Sequence, residues 1–153
     1  MQRQGRPLID TISPHNTLTK AALYYIRLDT QNSALFDKES AATMPFAQIA
    51  IDELQAAADR KGIRIEKWAV CPKAMHVLVY INENRNEQDH RTGKPRALTS
   101  FVAGVKAATA KRINLVRNKP GHPVWKRSYK EQRVENDRVL SQLEAQMQAA
   151  SSS

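Results

Sequence analysis

The stretch from Ile63 to Ile81 (Ile-Arg-Ile-Glu-Lys-Trp-Ala-Val-Cys-Pro-Lys-Ala-Met-His-Val-Leu-Val-Tyr-Ile) constrains the fold of this 153-residue chain more than any other. It reads as two strands joined by a tight turn. Ile63, Ile65, Trp68 and Val70 mark the first, Pro72 and Lys73 the turn, and Met75 to Ile81 the second, which is apolar or aromatic throughout except at His76. Side chains alternate along a strand, so Met75, Val77, Val79 and Ile81 share one face, and Ala74, His76, Leu78 and Tyr80 the other.

One domain is expected from the length. Residues 1–19 are polar, contain Gly5, Pro7 and Pro14, and read as a flexible arm; residues 20–150 form the domain, and 151–153 a frayed serine tail. A single cysteine, Cys71, excludes an internal disulfide. The N-terminus lacks an apolar leader, and no apolar run approaches the roughly 18 residues of a membrane span, which together imply a cytoplasmic protein. Charge is unevenly placed. Residues 98–133 hold nine of the basic side chains and one acidic, a net +8 within a chain of net +9. A basic segment of this kind is the electrostatic footprint of a partner such as nucleic acid, or else a solvated face kept for solubility.

The remaining elements follow in order. Ala21 to Leu28 reads as a strand by its aromatic and branched content. Met44 to Lys61 is a helix, with Pro45 in its first turn, Gly62 just past its end, and Ile49, Leu54, Ala57 and Ala58 on its apolar face. A polar loop, Asn82 to Arg96, carries a solvated His90. Leu98 to Val116 is a second helix with Leu98, Phe101, Val102, Val105, Thr109, Ile113 and Val116 on one stripe, ended by Pro120 and Gly121. A last helix runs from Asn136 to about Ala149, with Val139, Leu140, Leu143 and Met147 in phase. Lys106, Lys111, Arg112 and Arg117 lie largely off the second helix's stripe. With Lys126, Arg127 and Lys130 they are the candidates for phosphate contact, which supplies affinity without sequence readout. Trp125 is either half-buried core or a platform for an unpaired base.

Several of these segments resemble, in order, those of the small single-tyrosine transposases of the His-hydrophobic-His class, especially those associated with bacterial repetitive extragenic palindromes. Trp68-Ala-Val-Cys-Pro-Lys-Ala-Met-His-Val-Leu resembles the family's Trp-Val-Val-Met-Pro-Asn-His-Val-His-Leu strand. Thr30-Gln31-Asn32 followed by Leu35-Phe36, Ala110-Lys111-Arg112-Ile113-Asn114, and Trp125-Lys126-Arg127-Ser128-Tyr129 resemble further family segments, the last of them a strand. The likeness spans about residues 20 to 146. It implies an α+β, ferredoxin-like fold: an antiparallel sheet of about four strands with two helices on one face, plus a C-terminal helix.

It also implies a chemistry that this sequence has altered. In the family two histidines hold a metal that polarises a DNA phosphodiester, and a tyrosine on the last helix attacks it. Here Ala74 replaces the first histidine, leaving His76 as the residual metal candidate; Gln146 falls at the tyrosine's place, and Gln132 at that of a histidine after the Trp-x-Arg-x-Tyr segment. The expectation is a catalytically inactive, transposase-like homodimer without a cofactor, binding single-stranded or hairpin DNA. One alternative is an active enzyme using magnesium or manganese and a displaced nucleophile, for which Tyr129 is the candidate although it reads more readily as packing or phosphate contact. Another is a dimeric scaffold for RNA or protein.

Overall fold

A computed structural model describes residues 21–32, 35–37, 44–82 and 95–152. The expected arm and His90 lie outside these residues. The elements run β1 (Ala21–Asp29), α1 (Met44–Lys61), β2 (Arg64–Cys71), β3 (Ala74–Asn82), α2 (Arg96–Val116), β4 (Lys130–Arg133) and α3 (Asp137–Ser152). The four strands form one antiparallel sheet in the order β2-β3-β1-β4, the α+β arrangement expected. None of the described helices is long and apolar enough to cross a membrane.

The alternation read from β3 sorts the core into two layers. Met75, Val77, Val79 and Ile81, with Ala22, Tyr24, Ile26 and Leu28 of β1, pack against Leu54 and Ala57 of α1 and Leu98, Phe101 and Val105 of α2. On the opposite face Leu23, Tyr25 and Leu78 meet Leu140, Leu143 and Met147 of α3. In β2 the apolar positions change phase, from Ile63 and Ile65 to Trp68 and Val70. A bulge accounts for this: Ile65 pairs with Val79 and Lys67 with Leu78, so Glu66 is an extra residue that returns Val70 to the same layer as Ile63 and Ile65. Trp68, in phase with Val70 but on the outermost strand, stays 39% exposed.

Helix ends follow local chemistry. Gly62, at φ +65°, closes α1: its N–H donates to the Asp59 carbonyl and that of Ile63 to the Ala58 carbonyl. The corresponding stop for α2 is Asn118 at φ 55°, with Lys119 N–H donating to the Asn114 carbonyl, so the helix ends before Pro120 and Gly121 are reached. Asn136 caps α3 by accepting from the Val139 N–H at 2.9 Å. That helix continues through Ser152, into the serine tail.

Two expectations change. The Trp125–Tyr129 segment is not a strand: Trp125 makes an isolated bridge to Thr30, and ladder pairing with β1 begins only at Lys130. Pro123 removes a donor just before the bridge, and the indole turns inward against Phe36, ring centroids 5.6 Å apart, so this segment wraps the end of β1 before β4 aligns. Val116 leaves the apolar stripe as well. It is 59% exposed and its neighbour Leu115 71%, since the last turn of α2 carries them away from the core that Ile113 still enters.

Candidate functional site

Strand register decides what surrounds Ala74. It pairs with Asp29 of β1 and Cys71 of β2, while His76 pairs with Arg27 and Ala69. All lie on the α3 side of the sheet, and α3 brings Ala150 over them. The result is a cleft of about 400 Å³ lined by Arg27, Asp29, Lys73, Ala74, His76 and Ala150, with Cys71 and Pro72 at the turn. Behind its lining, buried Tyr25 Oη and His76 Nδ1 are joined at 2.7 Å, and Arg27 Nε lies 3.1 Å from Asp29 Oδ1.

Burial, reinforced by the Arg27 guanidinium and opposed by the Asp29 carboxylate, lowers His76 from its ordinary value of 6.5; burial likewise raises the Tyr25 phenol. The folded state therefore favours neutral imidazole. Because the unfolded chain takes up its proton first, the stability linked to His76 is present above pH 6.5 and is lost as pH falls from there through the lower folded value. Urea unfolding of wild type and His76→Phe at several pH values between 7.5 and 5 should show the wild type losing more stability on acidification than the variant. Parallel curves would remove His76 from the linkage.

The cleft offers a divalent cation few donors among the described residues. Ala74 offers a methyl group, His76 has Nδ1 occupied by Tyr25 and one ring nitrogen left, and the Asp29 carboxylate is already joined to Arg27. Among the described residues no group of three His, Cys, Asp or Glu side chains is placed to hold a metal. Gln146 is exposed on α3 and outside the lining of the cleft, into which Ala150, one turn further on, comes instead. Gln132 is exposed on β4, paired with Tyr25. Tyr129 packs against the α1 and α2 layer, on the other side of the sheet from His76, with its phenol raised by burial and then by Glu131. The structure does not bring Tyr129 and His76 together.

The basic residues divide into two sets. Lys106, although on the outer side of α2, spends its ammonium on the carbonyls of Lys126 and Arg127 at 2.9 and 3.0 Å, and partial burial lowers its pKa. Arg112 pairs with Glu53 at 3.0 Å and reaches Asp52 at 3.9 Å. Arg117 donates to Asn114 Oδ1 and to the Pro123 carbonyl. Trp125 is 8% exposed and its indole N–H donates to the Lys106 carbonyl. These four hold the 117–127 segment onto α2 and α2 onto α1. Lys111, Lys126, Arg127 and Lys130 are exposed and have no side-chain partner among the described residues. The Lys106 clamp on two successive carbonyls fixes the backbone from which Lys126 and Arg127 project. Lys130 stands across the ladder from Arg27, on the face of the cleft. Composition could locate this basic quarter; only the fold shows which cations are already spoken for.

No family model matches the chain, and no curated protein does. Solved structures do. A REP-associated tyrosine transposase bound to a REP hairpin superposes with TM-score 0.57 at 13% identity over 84% of this chain and 64% of that one, so the match spans less than two thirds of that protein's length. A Deinococcus radiodurans R1 protein assigned as a transposase superposes with TM-score 0.54 at 18% identity, over 85% of this chain and 91% of that one. Identities this low speak to architecture: the chain has a transposase-like fold, that of the tyrosine transposases its sequence resembles.

Proposed function

We propose that this chain binds single-stranded or hairpin DNA through a basic face and performs no strand transfer. The observation that carries the reading is the set of four exposed cations without a side-chain partner among the described residues, Lys111, Lys126, Arg127 and Lys130, in the one quarter of the chain that is strongly basic. A structural neighbour bound to a REP hairpin supports nucleic acid as the partner of such a face. The absence of strand transfer rests on the cleft. A methyl group at Ala74 supplies no second nitrogen donor, an alanine stands at the α3 position facing it, and the hydroxyl nearest His76, that of buried Tyr25, is engaged by the imidazole and lies outside the lining of the cleft, where attack on a phosphodiester needs an accessible one. The reading includes cytoplasmic action and a homodimer joined edge to edge, for which β2 offers an outermost strand with Trp68 exposed.

The test is a labelled single strand carrying a hairpin, incubated with the protein and magnesium or manganese and run on native and denaturing gels. A shifted native complex that vanishes under denaturation, with the strand uncut, is expected. An adduct that survives denaturation, or a cleaved strand, contradicts the inactive reading; loss of that adduct in Tyr129→Phe would make Tyr129 the nucleophile.

A further inference from the structure

At the end of α2, away from the cleft around His76, the chain builds a second concavity. It has a volume of about 410 Å³ and is lined by Ala110, Lys111, Leu115, Pro120, Gly121 and His122, with Asn114 at its base. Its walls are held in place. Asn114, 7% exposed, donates from Nδ2 to the His122 carbonyl at 2.9 Å and accepts from Arg117 Nε at 2.8 Å. Lys119 N–H donates to the Asn114 carbonyl, and His122 N–H to that of Lys119. Gly121, at φ +75°, makes the turn that returns the loop. A loop tied down by this many bonds forms its concavity before any ligand arrives, which lowers the ordering cost of binding.

The contents of this concavity are unusual for a free surface. Leu115 is exposed at its rim with Val116 beside it, while Pro120 adds an apolar pyrrolidine ring and His122 an imidazole. Lys111 and Lys119 are exposed next to them, without side-chain partners among the described residues. One planar imidazole among apolar side chains, with cations beside it, suits a ligand that joins a planar ring to a phosphate. Histidine and other aromatic side chains stack unpaired bases, and stacking tolerates any base because each has a π-face. An acidic amphipathic peptide would satisfy the charges but would leave the imidazole face unused.

The geometry points to this concavity as a seat for one unpaired base of the bound strand, stacked on His122 against Leu115 and Pro120, with the flanking phosphates on Lys111 and Lys119. This deepens the DNA-binding reading above and rests on it. It supplies what the phosphate contacts cannot, a preference for unpaired over fully paired nucleic acid.

The two readings are separated by measuring, by fluorescence anisotropy, the binding of a hairpin with an unpaired loop and of a blunt, fully paired duplex. The proteins are wild type, a Leu115→Gln/His122→Ala double variant and His122→Trp. Both altered side chains are exposed, so the melting midpoint should hold. The double variant should bind the hairpin about tenfold more weakly with its salt slope unchanged, because a lost base contact releases no counterions. Duplex binding should be unaffected, and His122→Trp should bind the hairpin at least as tightly as wild type. Equal hairpin affinity in wild type and double variant, with wild-type binding intact, would overturn the base seat and leave the DNA-binding reading standing. Wild type binding no nucleic acid would overturn both, as would selective capture of an acidic, leucine-containing peptide in its place.

Discussion

A Met147→Ala protein should be about 2–5 kcal/mol less stable than wild type. Met147 is 2% exposed and forms, with Leu140 and Leu143, the apolar contact of α3 on Leu23, Tyr25 and Leu78. Truncation there removes buried surface and leaves a void in a layer built from few residues. Against the 5–15 kcal/mol of a typical domain, that is a large share. Local consequences should accompany the global loss, since α3 carries Ala150 to the cleft and Lys67 of β2 meets α3 through Glu144 at 3.6 Å. Urea unfolding gives the stability change; amide exchange should show α3 opening more readily than α1 or α2. A loss below about 0.5 kcal/mol, the range of ordinary surface changes, would mean that α3 does not depend on this contact.

The second large effect concerns binding. A Lys126→Ala/Arg127→Ala/Lys130→Ala triple variant should bind a DNA hairpin on the order of a hundredfold more weakly at 0.1 M salt. Each phosphate contact to a single strand contributes about 0.7 to the log–log salt slope, so three lost contacts remove about two decades of affinity between 1 M and 0.1 M. Folding should be preserved. The three side chains are exposed, and the Lys106 bonds that hold the segment go to main-chain carbonyls, which alanine keeps. Lys106→Met differs in kind: it removes the clamp, so it should weaken binding and lower stability together. Anisotropy at fixed salt with parallel thermal melts distinguishes the two variants, and a triple variant that keeps wild-type affinity would place the interface elsewhere.

The architecture was legible where one periodicity ran uninterrupted between firm stops. Pro45 and Gly62 bracketed α1 at Met44–Lys61, and the alternation from Ala74 to Ile81 assigned every β3 side chain to its layer. The phase change in β2 was visible as a spacing fault, although only the ladder shows that Glu66 absorbs it. β4 was missed by a few residues because Trp125 and Tyr129 are strand-like in type, yet Pro123 and the inward turn of the indole prevent pairing until Lys130. Ala74 and His76 could be read as neighbours from sequence, but the partners of the cleft could not. Tyr25 meets His76 across 51 positions, and Asp29 reaches Ala74 through strand register.

The basic residues show the same limit. A helical wheel places Arg112 and Lys106 off the apolar stripe, which is correct, but it cannot say that Glu53 waits for one and two loop carbonyls for the other. Nor could it find the concavity beside His122, which depends on Asn118 ending α2 in a left-handed turn and on Asn114 tying the loop back. The apolar Leu115-Val116 pair was the available signal, hidden because Val116 fell in phase with the buried stripe.

The central claim is that the exposed cations grip the phosphates of a nucleic acid partner, and a salt titration of wild-type binding to a hairpin-bearing single strand tests it most directly. Contacts from Lys111, Lys126, Arg127 and Lys130 predict a linear log–log plot with a slope near −3. A slope near zero, or no measurable binding at low salt, would contradict the account and leave the basic quarter of the chain as a device for solubility.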